Sequence, residues 1–302
     1  MNAQPQTKNP GPSWGYRFMR WVDRVTPEPI LNRLLAIGAL YALTCLTQQR
    51  RHSLNHLTRA RGKPATLRDS WAHFTTFSKF LITRFRAAEG VEPQFIVSPD
   101  SSGRIESLLN SGSQALYGTF HFGNSDLMGF WLSRFNLTVR MIRHQVGNSK
   151  DLDWLKKRFG KKISFIWVND PRNLLFQLKE SINEGHSIAM KCDRIEHSSK
   201  TEAFNFLGEK RLFPFTIYHL SALFNVPVVF AFGVPNSNNT KTVVHSSTVY
   251  YPNAENKRLN LENARTHFQE TLNMLDGLVR ENPLQWFNFL ETNPKIEESK
   301  EK

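Results

Sequence analysis

A strand pattern gives way to a helix pattern within Tyr117-Gly-Thr-Phe-His121-Phe-Gly-Asn-Ser-Asp126. The residues leading into this stretch, 114–120, are apolar and aromatic without a helical repeat. In the segment that follows, 127–135, large apolar residues recur at the spacing of one helix face. The sequence therefore predicts a strand that turns directly into a helix here, which is typical of an α/β fold.

The residues between strand and helix suit a tight turn. Gly123 allows it, and Asn124 or Ser125 can cap the exposed backbone donors of the helix. Asp126 then falls in the first helical turn, where the helix dipole favours a carboxylate. We expect His121 on the last residue of the strand, facing the mouth of the helix.

Placed at such a corner, His121 and Asp126 can meet, and a histidine oriented by a carboxylate is a general base. The one G-x-S-x-G match, Gly11-Pro-Ser-Trp-Gly15, lies in the polar, proline-rich start of the chain with no strand pattern before it, so it does not indicate a nucleophile elbow. The proton removed would then come from a substrate hydroxyl or amine, as in direct acyl transfer. The alternative is that His121 merely ends a strand and Asp126 merely caps a helix.

Further motifs follow in order along the chain. They are Val139-Arg-Met-Ile-Arg143, Ala189-Met-Lys-Cys-Asp193, Phe206-Leu-Gly208, Phe213-Pro214 and Pro283-Leu-Gln-Trp286. In this order they resemble the lysophospholipid acyltransferase-like superfamily, and within it the late acyltransferases of lipid A biosynthesis. The resemblance covers residues 90 to 290. Ser125-Asp126 replaces the Trp-Glu usual in the lipid A enzymes, and Arg194 stands where glutamine is common, so the acceptor stays open.

The resemblance implies an α/β fold with a central, mostly parallel mixed sheet flanked by helices, preceded by an N-terminal helical segment. It also implies transfer of a fatty acyl chain from acyl carrier protein or coenzyme A to a hydroxyl or amine of a lipid or glycolipid. His121 would be the base and Asp126 its partner, with Arg143 and Asp193 at the substrate pocket. Arg194, Gly208 and Arg211 are weaker candidates, and Gly208 can equally serve only a turn. The alternatives are a thioesterase or hydrolase with the same pair, and an inactive member that binds lipid or protein.

The charge balance favours anionic partners. The chain has 302 residues, with 39 Lys and Arg against 26 Asp and Glu, which gives a formal net charge of +13. No zinc-finger spacing, RNP-type strand or heptad-bearing basic region indicates a nucleic-acid binder. An anionic membrane surface and an acidic carrier protein remain as partners. The histidines lack spacing with Cys, Asp or Glu of the H-E-x-x-H or C-x-x-C kind, so neither a metal nor another cofactor is expected.

The longest apolar run, 34–46, is too short for a membrane-spanning helix, which needs about 20 residues. It suits either a helix packed on the core or one lying in a membrane surface, and both interpretations stay open. Two cysteines agree with a reducing cytoplasm. We therefore expect a peripheral or monotopic protein on the cytoplasmic face of the bacterial inner membrane.

The pattern divides the chain into four parts. We expect a disordered start at 1–13, a helical segment at 14–90 broken near Pro27 and Gly62, an α/β core at 91–291 and a disordered tail at 292–302. The predicted strands are 95–97, 115–120, 137–142, 163–168, 188–190, 226–232 and 243–250. The predicted core helices are 104–109, 127–135, 152–159, 174–182, 215–224 and a long final helix over 261–279 that stops before Pro283.

Overall fold

The structure, a computed structural model, describes residues 13–143, 162–168, 171–195, 198, 200–236, 240–253, 257–290 and 293–296. Its helices are α1 (Ser13–Val25), α2 (Glu28–Cys45), α3 (Thr47–Arg61), α4 (Leu67–Ala88), α5 (Pro99–Asn110), α6 (Met128–Leu132), α7 (Pro171–Asn183), α8 (Thr216–Phe224) and α9 (Lys257–Glu281). Short 3-10 turns lie at Ser125–Leu127 and Pro283–Gln285.

The strands are β1 (Gln94–Val97), β2 (Leu116–Thr119), β3 (Val139–Arg143), β4 (Ile163–Trp167), β5 (Ser187–Lys191), β6 (Thr201–Phe206), β7 (Glu209–Pro214), β8 (Val228–Pro235) and β9 (Lys241–Ser246). A seven-stranded sheet has the order β1-β9-β8-β2-β5-β3-β4, and β6 and β7 form a separate antiparallel hairpin. In the large sheet β8 and β9 are antiparallel, and every other neighbouring pair is parallel. The carboxyl ends of β2, β3 and β5 therefore lie side by side, where parallel sheets hold their sites.

Helices cover both faces of the sheet. Alternate side chains of each central strand point to opposite faces, and on both faces they are apolar and pack against helices. In β8, Val228, Phe230 and Phe232 belong to the core cluster that also contains buried residues of α8 and α9. Val229 and Ala231 belong to the cluster formed with α5 and α6. All five of these side chains are buried, so β8 is apolar throughout, as a strand covered on both faces must be.

The N-terminal helices pack on α4, which begins with a full capping box. The Thr66 hydroxyl accepts from the Asp69 N–H, and the Asp69 carboxylate accepts from the Thr66 N–H. Gly62, with φ of 66°, ends α3 in the left-handed conformation that glycine adopts easily. The turn signals of the sequence therefore coincide with the real helix ends.

No single helix among the described residues is long and apolar enough to cross a membrane, although α2 and α3, bent by 104°, pass that test as a pair. Much of α2 lacks a covering. Ile37 is 65% exposed and Tyr41 72% exposed, whereas Leu31, Ala39 and Leu43 are buried against the other helices.

The predicted fold class, an α/β protein with a mostly parallel mixed sheet and N-terminal helices, is confirmed. The antiparallel hairpin β6–β7 was not predicted, since only its Phe206-Leu-Gly208 turn stood out in the sequence. The predicted helix 127–135 is shorter and begins as a 3-10 turn. The predicted helix 152–159 lies outside the described residues, as do most of the two predicted disordered ends.

Candidate active site

The turn after β2 is held tightly against β8. Gly123 has φ of +53°, and a Cβ at this position would lie 2.1 Å from the carbonyl oxygen of Gly233. The Asn124 N–H donates to that same carbonyl at 2.6 Å. Only glycine fits here, so the turn predicted from the sequence is required by close contact of two backbones. His121 lies within this turn, two residues after the end of β2.

His121 is paired with Asp193. Its Nδ1 lies 2.9 and 2.8 Å from the two carboxylate oxygens, and its backbone N–H donates to Oδ2 at 3.1 Å. The Asp193 side chain is completely buried, whereas 23% of the His121 side chain is exposed. Among the described residues no hydrogen bond occupies Nε2 of His121.

The pairing follows from the sheet. Strands β2 and β5 are parallel neighbours with Thr119 opposite Lys191, and the Cys192 N–H donates to the Thr119 carbonyl at 2.8 Å. Asp193 lies two residues beyond Lys191, and His121 two residues beyond Thr119, so the two strand ends bring them together.

The protonation states of His121 and Asp193 are those that a general base requires. Burial lowers the pKa of His121, and the Lys191 and Arg194 charges add to this effect against the opposing influence of Asp193. Burial alone would raise the pKa of Asp193, but the neighbouring His121 and Arg194 outweigh it and lower the pKa. At neutral pH an ionised carboxylate can only accept, so Nδ1 of a neutral imidazole carries the proton and Nε2 keeps a free lone pair.

Asp126 lies elsewhere, which differs from the prediction that it orients His121. Its carboxylate accepts from Lys191 Nζ at 2.8 Å and lies 3.2 Å from an Arg84 nitrogen and 3.7 Å from one of Arg143. Among the described residues it makes no hydrogen bond to His121. Asp126 lies in the 3-10 helix after the turn, so its side chain contacts α4 and the ends of β3 and β5 instead.

Three cations around one buried carboxylate form an electropositive site. Burial would raise the pKa of Asp126, but the Lys191, Arg84 and Arg143 charges hold it well below its usual range. Burial lowers the pKa of Lys191 and that of Arg143, and the Asp126 charge opposes this in both. The Arg143 guanidinium also lies over the Phe165 ring, 5.5 Å from its centre.

Sequence reasoning missed Arg84 and Lys191. Lys191 carried a signal, since a lysine at the end of the apolar run of β5 is unusual for a buried strand. Arg84 carried none, because it is one of several basic residues on α4, and only the packing of that helix brings it to the sheet.

The three weaker site candidates, Arg194, Gly208 and Arg211, make no hydrogen bond to the His121 side chain among the described residues. Arg194 Nε donates to the Asn288 side chain at 3.1 Å, and the Arg194 charge acts on the pKa of His121. Gly208 occupies the turn between β6 and β7 with φ of +78°, which glycine adopts without strain. Arg211 is buried and donates to the Asn293 carbonyl and to the Glu209 carboxylate.

The segment after α9 lies against the turn that carries His121. Phe122 and Trp286 form a β-bridge, the Gly123 N–H donates to the Gln285 carbonyl at 2.8 Å, and the Phe287 N–H donates to the His121 carbonyl at 2.7 Å. Trp286, the last of the motifs in the sequence, thus belongs to the wall of the site.

A family model described as bacterial lipid A biosynthesis acyltransferase matches residues 4–292 of the chain. The comparison with curated proteins gives no match. Among solved structures, the 1-acyl-sn-glycerophosphate (LPA) acyltransferase PlsC from Thermotoga maritima is similar over 83% of this chain and 97% of its own. The two chains are 13% identical and the TM-score is 0.41.

Proposed function

Because the chain belongs to the bacterial lipid A biosynthesis acyltransferase family, we propose that it moves a fatty acyl chain from an acyl thioester to a hydroxyl or amine of a lipid or glycolipid. Membership of the family makes the chain an acyltransferase of lipid biosynthesis. The observation that carries the proposed mechanism is the His121–Asp193 pair, with Nδ1 held by a buried carboxylate and Nε2 free of hydrogen bonds from the described residues.

In this mechanism Nε2 of His121 takes the proton of the acceptor hydroxyl as its oxygen attacks the thioester carbonyl carbon. Asp193 keeps the Nδ1–H tautomer and stabilises the imidazolium that forms. Collapse of the tetrahedral intermediate breaks the carbon–sulfur bond, and the imidazolium returns its proton to the leaving thiolate. The products are an acyl ester and a free thiol, and with an amine acceptor the product is an amide.

The cations beside the pair support binding of negative charge. Lys191 and Arg143 share Asp126 with Arg84, so three positive side chains face one carboxylate among the described residues. Such a site can hold an anionic group of the substrate or stabilise the oxygen that becomes negative in the intermediate. Arg194 adds a further positive charge close enough to lower the pKa of His121.

The donor is acyl carrier protein or coenzyme A in this proposal. Both are anionic, and the formal net charge of +13 favours encounter with either. Assays with each thioester at equal concentration separate the two, because the preferred donor will show the higher kcat/KM.

We place the protein at the cytoplasmic face of the bacterial inner membrane, attached to its surface. The support is the exposed apolar surface of α1 and α2, where Trp21 is 59% exposed and Ile37 65% exposed. Arg17, Arg20 and Arg24 accompany it on α1, the last two sharing the single Glu89 carboxylate, so the surface keeps a net positive charge. Basic groups beside an apolar surface favour anionic lipid headgroups.

A change of His121 to alanine tests the chemistry. General-base catalysis contributes on the order of 10²- to 10⁴-fold, so kcat for acyl transfer should fall by that factor. His186→Ala is a matched control, because its side chain is 21% exposed against 23% for His121 and it lies after α7, paired with Glu184. A His121→Ala variant that behaves like wild type both in the acyl-transfer assay and in cells would favour the alternative of an inactive member that only binds lipid or protein.

The hydrolase alternative uses water in place of the acceptor. Purified protein with acyl thioester alone should release little free fatty acid, and addition of the lipid acceptor should produce acylated lipid. Rapid fatty acid release without acceptor contradicts the transferase proposal. Mass spectrometry of lipid extracts from cells with and without the protein then identifies the acceptor as the species that differ by one acyl unit.

A further inference from the structure

Two buried histidines on α3 and α4 hold the segment that lies against His121. His56 and His73 are 4% and 1% exposed. Nε2 of His56 lies 2.9 Å from the Pro283 carbonyl, and Nε2 of His73 lies 2.7 Å from the Trp286 carbonyl. A carbonyl can only accept, so in both rings Nε2 carries the proton and donates.

The bond from His73 is the more informative of the two. The Trp286 carbonyl that it reaches belongs to the same peptide group as the Phe287 N–H, which donates to the His121 carbonyl at 2.7 Å. One planar peptide unit therefore connects the His73 ring to the backbone of His121. Hydrogen bonds at both ends of a peptide group strengthen one another and fix its orientation.

The His73 ring is itself fixed. Its Nδ1 lies 2.9 Å from the Ser53 hydroxyl, which accepts in turn from the Ser70 hydroxyl at 2.9 Å. Since Nε2 carries the proton, Nδ1 accepts from Ser53. The ring also packs on Phe289 and Phe287, with centroid distances of 4.6 and 6.5 Å. A directional chain of hydrogen bonds thus runs from α3 and α4 to the turn after β2.

We infer that His73 is a positioning residue for His121, acting through the Trp286–Phe287 peptide. The turn that carries His121 follows a short strand. The His121 imidazole must keep both its hydrogen bond to Asp193 and its orientation towards the substrate. A misplacement of 1 Å at a reacting group costs about 10²-fold in rate. The N-terminal helices therefore contribute to catalysis without touching the substrate.

The inference rests on the proposed function for its kinetic test. His73→Phe keeps a ring of similar shape but removes the donor, and we expect kcat for acyl transfer to fall about 10- to 100-fold with KM within about twofold. His73→Gln retains an N–H donor of comparable reach and should restore most of the lost kcat. His267→Phe is the matched control, because it removes a buried histidine bond to a backbone carbonyl, that of Thr248 at 2.8 Å, which does not belong to the segment after α9, and it should leave kcat within about twofold.

A second readout does not depend on the reaction. In spectra of histidine-labelled protein, the His121 resonance is assigned by its loss in His121→Ala, and its titration is then followed in each variant. The pKa of His121 is lowered from 6.5 chiefly by burial, so a loosened ring in His73→Phe should titrate closer to 6.5, and His73→Gln should titrate like wild type.

The outcomes separate the two proposals. If wild-type protein transfers no acyl group, the proposed function fails and the titration still decides on His73. If wild type is active while His73→Phe is folded, equally active and unchanged in the titration of His121, the positioning role is overturned. Should His73→Phe fail to fold, His73→Asn, whose amide ends one bond short of the Nε2 position, takes its place with the same expected loss.

Discussion

Asp193 and Asp126 are buried carboxylates of one site, but they have different neighbours. Asp193 accepts from His121, whereas Asp126 lies among Arg84, Arg143 and Lys191. Replacement of Asp193 by asparagine removes the negative charge that stabilises the imidazolium. We expect the kcat of Asp193→Asn to fall on the order of 10²- to 10⁴-fold with normal folding, measured in the acyl-transfer assay.

Asp126→Asn is the comparison for that variant. It leaves three cations without a buried anion, and breaking a buried pair costs about 3 to 5 kcal/mol, so its free energy of unfolding in urea should fall by that amount. The opposite pattern, full activity in Asp193→Asn and an inactive but stable Asp126→Asn, would return the orienting role to Asp126.

The titration of His121 sets the acid limit of activity. The base must be neutral, and its pKa lies below 6.5 because it is buried near Lys191 and Arg194. In a profile measured from pH 4.5 to 8, kcat/KM should therefore stay constant as the pH falls to 6.5 and should decline only below that pH. Lys191→Met removes one of the positive charges and should move this decline to higher pH. A wild-type profile that declines at or above pH 6.5 contradicts this assignment.

At the scale of elements, α3 and α4 join the N-terminal helices to the rest of the chain through neutral histidines. Burial lowers the pKa of His56 to about 3 and that of His73 to about 4. The charges of His73 and Arg59 add to the effect on His56, and Arg61 to that on His73. The contact between these helices and the segment after α9 therefore needs uncharged rings.

That contact should weaken in acid. Both folded pKa values lie below the ordinary 6.5, so between pH 6.5 and about 4 the unfolded chain binds more protons and stability falls as pH falls. Each histidine contributes up to about 1.4 kcal/mol per pH unit. We expect urea unfolding at pH 7, 6 and 5 to show this loss in wild type and a shallower loss in His56→Phe. Equal slopes in the two proteins would show that His56 does not contribute.

At the scale of the whole molecule, the proposed membrane attachment depends on the exposed apolar surface of the N-terminal helices together with the positive net charge. Ile37 and Leu40 are 65% and 52% exposed on α2, and insertion of such a side chain contributes about 1.5 to 3 kcal/mol. The double change of both residues to glutamate should lower partition into anionic vesicles at least about 10²-fold, measured by flotation.

Leu223→Glu is the control for that variant, since Leu223 is 62% exposed on α8, outside the N-terminal helices, and should not affect binding. Binding of wild type should weaken between 0.05 and 0.5 M salt, because charge attraction is screened while apolar contact is not. Equal binding by the wild type and the Ile37–Leu40 double variant would exclude this surface as the attachment site.

Much of this architecture was predictable from local patterns. Alternation of strands and helices, the tight turn at Gly123 and the helix ends near Pro27 and Gly62 depend on neighbouring residues, and the structure contains them. The predicted cap by Asn124 or Ser125 is not formed, since the Asn124 side chain donates to Thr242 and Ser125 accepts from Lys191. The β6–β7 hairpin was missed because its strands carry mixed polarity, with Glu202 and Asn205 among apolar residues. The break after Cys45, where α2 bends into α3, has no glycine or proline to announce it.

The sequence by itself determined the fold class, the family and the position of His121 just beyond a central strand. The first and the last depend on patterns within short stretches of chain, and the family depends on the order of its motifs. Only the tertiary structure decided that Asp193, 72 residues away, and not Asp126, holds the imidazole. It likewise decided that His73 binds the Trp286 carbonyl, 213 residues further along the chain. The physical reason is the same for both: strand order and helix packing set which distant side chains meet, and no local spacing encodes that choice.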